Sequence, residues 1–215
     1  MKLKPFLAVL LFLSSTFVFG QLEKGNCFLH GSSSMGFSTE KYTYISGGTS
    51  TASSKTTHFG FNPKAGYFII DNLPVGLAIH VSSYKSKSID TDDKSSSTDF
   101  TIGPFARYYF FPLDKFKPMA EIYAGFGSSK DKSTFSSYTT ESKYSIMEFS
   151  IGAGASYFVT DHVAFDVLLS YNSFVYTLKS ETTPGDVKSA ASVDSKDKYT
   201  GIGINFGVVV TIPNK

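Results

Sequence analysis

The chain has 215 residues, of which 16% are aromatic and 18% charged, against roughly 25% charged in a typical soluble domain. With 21 Phe, 13 Tyr, no Trp and a mean hydropathy of −0.03, it cannot be a bundle of membrane helices, which would need apolar stretches of about 20 residues. Its formal charge of +2 includes Lys2 and Lys4 of an N-terminal export signal, and without them 18 basic residues face 18 acidic ones. That balance excludes the basic excess of a nucleic-acid binder.

Residues 1–20 read MKLKPFLAVLLFLSSTFVFG. A positive start, a short apolar run and small Gly20 at the end are the layout of a cleaved secretory signal peptide. Ser14, Ser15 and Thr16 interrupt the run, which disfavours a retained membrane helix. Residues 21–215 then form one domain. A single Cys builds no internal disulfide framework, and Cys27 lies too far from Gly20 to carry a lipid anchor.

Beyond the signal, eight segments place apolar residues at every second position, the mark of a strand with two unlike faces. The first, 26–37, sets Cys27, Leu29, Met35 and Phe37 against His30, Ser32 and Ser34. The second, 56–70, sets Phe59, Phe61, Ala65, Tyr67 and Ile69 against Gly60, Asn62, Lys64 and Gly66. After Asp71-Asn72-Leu73-Pro74, the third sets Val75, Leu77, Ile79 and Val81 against Gly76, Ala78, His80 and Ser82. The fourth, 98–111, opposes Phe100, Ile102, Ala106, Tyr108 and Phe110 to Thr101, Gly103, Arg107 and Tyr109. The fifth opposes Ala120, Ile122, Ala124 and Phe126 to Glu121, Tyr123, Gly125 and Gly127. In the sixth, 143–159, Phe149, Ile151, Ala153, Ala155 and Tyr157 oppose Glu148, Ser150, Gly152, Gly154 and Ser156. The seventh carries Phe165, Val167, Leu169 and Tyr171 against Asp166, Ser170 and Asn172. The eighth carries Ile202, Ile204, Phe206, Val208, Val210 and Ile212 against Gly201, Gly203, Asn205 and Gly207. Pro63 and Pro104 fall inside segments and predict a bulge or a locally weakened pairing, because proline donates nothing to the ladder.

Short connections (71–74, 112–116, 160–162) alternate with long ones rich in Ser, Thr, Lys and Asp (38–55, 87–97, 128–142, 179–196). That asymmetry, over segments long enough to cross a bilayer, predicts an all-β fold: an eight-stranded antiparallel up-and-down transmembrane β-barrel. Both termini then lie at the short-turn end. A soluble barrel would put the apolar face inside and a charged face outside. Here the second face is mostly Gly, Ser, Asn and Ala, which suits a crowded interior. Tyr67, Tyr108, Phe110, Tyr157 and Phe165 near the short turns form an aromatic girdle, and the excess of Phe and Tyr is assigned to this outer belt.

The charged residues of the small face, Lys64, Arg107, Glu121, Glu148 and Asp166, then point into the lumen. Arg107 is the only Arg. A hairpin symmetric about Asp114 puts it directly across from Glu121, where a bidentate pair can form. Buried charges need partners, so the five are expected to build one polar plug, which either neutralises the core or gates a narrow pore.

His30 and His80 are expected in the lumen, and the four His and one Cys show no metal-ligand spacing. Asp90-Thr91-Asp92-Asp93 lacks the glycine and closing glutamate of a calcium loop. The glycines at 152, 154, 201 and 203 sit inside strands with no helix after them, so they are barrel glycines. His58 beside abundant rim serines leaves a lipid-modifying enzyme as a second alternative. No catalytic residue, cofactor or metal is expected.

The stretch Asn62 to Ile79, NPKAGYFIIDNLPVGLAI, resembles the strand–turn–strand unit of the bacterial outer membrane protein beta-barrel domain family, related in shape to the OmpX, OmpW and OmpA transmembrane barrels. The resemblance covers residues 21–215. It implies a bacterial outer-membrane protein, monomeric and non-enzymatic, with outer-membrane lipid, lipopolysaccharide and the barrel-assembly machinery as partners and no nucleic acid. It implies a structural or surface-interaction role through long extracellular loops, or else a narrow porin or carrier for small apolar molecules. Many such barrels end in an aromatic residue, whereas this sequence ends Ile212-Pro213-Asn214-Lys215, with Phe206 and its alternation in place.

Overall fold

A computed structural model describes residues 22–45, 49–89, 93–110, 114–135, 138–182 and 196–214, with side chains outside 34–53 and 180–182. The export signal at 1–20, the side chains of Met35 and Phe37, the acidic residues 90–92 and the connection 183–195 lie outside the described residues.

Eight strands, β1 (Cys27–Ile45), β2 (Thr49–Ile70), β3 (Leu73–Ser88), β4 (Lys94–Tyr109), β5 (Phe116–Thr134), β6 (Thr139–Phe158), β7 (Val163–Thr182) and β8 (Lys196–Ile212), pair in chain order into a closed antiparallel barrel. Closure decides which face is which. Leu77, Ile122, Phe126, Phe149, Leu169 and Phe206 are exposed on the outside, whereas Ala78, Thr101, Arg107, Glu121 and Asp166 are buried within. An outer surface of aliphatic and aromatic side chains is solvated by lipid, not water, and closure pairs the first strand with the last over Cys27–Ser33 and Phe206–Ile212, which shelters that part of each edge from a bilayer.

A tilted strand needs about 9–11 residues to cross, and these have 16 to 22. The surplus lies at one end. The stretches 38–55, 87–97 and 128–142, expected as loops, are instead strand extensions joined by connections at 46–48, 89–93 and 135–138. Their cross-strand pairing runs on without a break, as from Ser128↔Ser145 to Thr134↔Thr139. The hydrophobic period stops because Ser, Thr and Lys occupy both parities of these extensions. The hydrogen-bond ladder does not stop, and Thr and Tyr favour it.

The opposite end is tight. Asp71 and Asn72 join β2 to β3, with Asn72 left-handed at φ 67°, a conformation Asn tolerates well. Residues 22–26 fold beneath this end: the Asn72 amide donates to the Leu22 carbonyl at 2.7 Å and the Lys24 amide to Asp71 Oδ1 at 2.8 Å. Both strand termini, Cys27 and Ile212, meet here. At Pro63 and Pro104 the ladders skip Asn62–Pro63 and Gly103–Pro104 and resume in the same register, so the prolines weaken pairing without making bulges. The register shifts fall elsewhere, at 68/70 and 143/144.

The seam between first and last strands is the shortest. Cys27–Ser33 pairs with Phe206–Ile212, and among the described residues the two strands make no ladder beyond that.

Candidate functional site

Pairing of β4 with β5 sets Arg107 directly across from Glu121, both pointing inward. Arg107 Nε and Nη2 reach Glu121 Oε2 at 2.9 and 2.7 Å. This corrects the expected bidentate fork: both nitrogens converge on one oxygen, because the other, Oε1, is held by the Lys64 ammonium from β2. Arg107 Nη1 donates to Asp166 Oδ2 of β7 at 2.5 Å and to the Tyr109 hydroxyl at 3.2 Å. His30 Nε2 of β1 stands 3.4 Å from the same Asp166 oxygen. Two cations and two carboxylates from four strands thus form one neutral knot, with Arg107 0% exposed. The Phe28 ring lies 5.1 Å from the guanidinium carbon and supplies its face to the cation.

Glu148 does not join this knot, contrary to expectation. Glu121 lies across from Gly152 of β6, and Glu148 is four residues farther along that strand, toward the long hairpins. There it accepts the Thr101 hydroxyl at 2.6 Å and meets His80 Nδ1 at 2.7 Å. Tyr123 shares a 3.0 Å hydroxyl bond with Thr101 and packs its ring 4.3 Å from that of His80. Gly125 makes room for it, since a Cβ there would fall 2.0 Å from the Tyr123 hydroxyl. A third group gathers on Asp99, which accepts from Ser82 at 3.2 Å and Tyr176 at 3.3 Å.

These groups line a cavity of about 380 Å³ on the long-hairpin side of the knot, with Lys64, Glu121 and Asp166 as its floor. On the other side lies an apolar cluster that includes Leu22, Phe28, Phe68, Phe105, Tyr109, Met119 and Phe158. The lumen is therefore layered: polar cavity, charged knot, aromatic floor, short turns.

The aromatic floor revises the assignment of Phe and Tyr to the outer belt alone. Its signal is present in the sequence as broken alternation. Cys27-Phe28-Leu29, Tyr67-Phe68-Ile69 and Tyr157-Phe158-Val159 are apolar on both faces, each beside a short-turn end. The partners Thr101 and Tyr123 carried no such mark. The five girdle residues, Tyr67, Tyr108, Phe110, Tyr157 and Phe165, are all exposed on the outer face, with Tyr108 and Phe110 edge to face at 4.9 Å. His58 packs against Tyr84 at 5.7 Å, and among the described residues no hydrogen bond joins it to a serine or a carboxylate.

Among curated proteins, none matches the sequence. Solved structures do resemble the chain. Neisserial surface protein A is 20% identical, covering 87% of this chain and 99% of its own, with a TM-score of 0.39. A major outer membrane protein from Thermus thermophilus is 10% identical, with coverage of 87% and 99% and a TM-score of 0.49. The outer membrane protein OprG from Pseudomonas aeruginosa is 16% identical, with coverage of 90% and 99% and a TM-score of 0.38. At this distance none of them speaks to what this chain does. The family model described as outer membrane protein beta-barrel domain matches residues 31–211, from the first half of β1 almost to the last residue of β8, so this apolar-faced, polar-cored barrel belongs to the outer membrane protein beta-barrel domain family.

Proposed function

We propose that the protein is a plugged outer-membrane barrel, exported through a cleaved signal at 1–20 and oriented with its short turns in the periplasm. Its role is structural or surface-interacting, exercised at the outer end by the projecting hairpins. The observation that carries this reading is the complete burial of Arg107 between Glu121 and Asp166. An ion crossing the lumen would have to separate charges held at 2.5 to 2.9 Å and then pass the aromatic floor. Buried pairs of this kind are expensive to break, at about 3–5 kcal/mol for removal of one partner.

Planar-bilayer recording of the folded protein tests this. The expected result is no stepwise conductance for the wild type. Regular single-channel steps would overturn the plug and favour the second reading, a narrow pore, which the polar cavity above the knot supports.

A further inference from the structure

Above the apolar belt, the outward face of the barrel carries a repeat. On β2, Phe59 is followed outward by Thr57 and then Lys55. On β3 the same face reads Val81, Ser83, Lys85, and on β5 it reads Phe126, Ser128, Lys130. On β6 the order is Met147, Ser145, Lys143, and on β8 it is Ile202, Thr200, Lys198. Five strands thus end their lipid-facing stripe in the same way: the last apolar side chain, one hydroxyl, one lysine. All five lysines are exposed, and among the described residues none has an ion pair. An outward carboxylate nearby, Glu141, is bound to Lys132 at 3.2 Å. Asp99 and Asp131 of the same region occupy inward-facing positions, so charge is sorted by face.

Three of these lysines directly oppose a lysine: Lys130 and Lys143 face each other, and Lys55 faces Lys87. Like charges directly opposite destabilise a sheet unless an anion lies between them. Depth fits such an anion. Four residues are about 13 Å of strand, or about 10 Å of height at the usual barrel tilt. The polar zone on each side of the hydrocarbon is about 5–8 Å deep, and a lysine can bend its head back toward it.

We propose that this lysine collar binds the phosphate groups of anionic lipid in the outer leaflet, so that the barrel is held by charge as well as by its apolar belt. The collar is continuous with the lipid-facing surface and faces away from the lumen, so the proposal stands whether or not the lumen conducts.

The test is the temperature at which the folded gel band converts to the unfolded one, in phosphatidylcholine vesicles with and without lipid A. The wild type should gain about 10 °C from lipid A, given the attraction of five lysines to an anionic surface. The gain should shrink in high salt, and dephosphorylated lipid A should not produce it. A variant with Lys55, Lys85, Lys130, Lys143 and Lys198 changed to Gln should lose the gain. Equal conversion temperatures in phosphorylated and dephosphorylated lipid would overturn the proposal, using the wild type alone. Retention of the full gain by the variant would do the same. So would heparin capture of the vesicle-borne wild type without any lipid A effect, which would make a soluble polyanion the partner.

Discussion

A guanidinium moved out of water costs several kcal/mol even after relaxation, and Arg107 recovers that only through its fixed company. Glu121, Asp166 and Tyr109 supply the acceptors, and Phe28 supplies a ring face. Arg107→Ala would leave two buried carboxylates with one lysine between them. The expected loss is about 3–5 kcal/mol, read as a lower conversion temperature of the folded band. Glu148→Gln keeps an acceptor for Thr101 and should cost about 1–2 kcal/mol. Because Glu148 belongs to the His80 cluster, the two losses should add in the double variant. A double variant no less stable than R107A alone would mean that the two clusters act as one network. The Arg107–Glu121 opposition was legible from hairpin symmetry alone, since register is a matter of counting from the turn. The place of Glu148 was not, because parity fixes the face a residue points to and says nothing of its depth along the lumen.

At the scale of the strand, the two-residue period located every membrane-spanning stretch and failed where the surroundings became the same on both sides. The outer portions of β1 to β6 look like loops in the sequence because Ser, Thr and Lys occupy both parities. Their main-chain ladders, which composition does not record, continue to 45, 88 and 134. Among the described residues, the extension of β5 and β6 holds none of the buried apolar side chains, so it should be dispensable for folding. Lys132 and Glu141 are direct cross-strand partners, a spacing that a two-residue Asn-Gly turn can join. Replacing 133–140 with Asn-Gly should leave a heat-modifiable band and change stability by less than about 1 kcal/mol. Failure of the shortened chain to give that band would show that the hairpin supports the barrel.

In the molecule as a whole, neutral mean hydropathy conceals a strict radial order. Lipid-facing side chains surround a thin polar core, which is itself stopped at one end by aromatic residues. Seven of the eight strand junctions link neighbours in the chain, and the eighth joins Cys27–Ser33 to Phe206–Ile212. That seam carries the largest sequence separation in the barrel, and contacts of this kind are the slowest to form because loop closure must be met first. Cys27 and Ile212 are direct partners with both side chains outward, and paired antiparallel residues lie within disulfide reach. Ile212→Cys should therefore oxidise to an internal disulfide once the barrel is closed. Under non-reducing conditions the boiled chain should then run differently from its reduced form, and a variant that folds yet never cross-links would contradict this register. The short seam has a consequence for assembly. Every hairpin can form as it is delivered, but the chain cannot become a sealed cylinder until its last strand arrives, and until then two open edges must be sheltered from lipid. A cross-link that appears only with closure would make this one junction a clock for the final event of insertion.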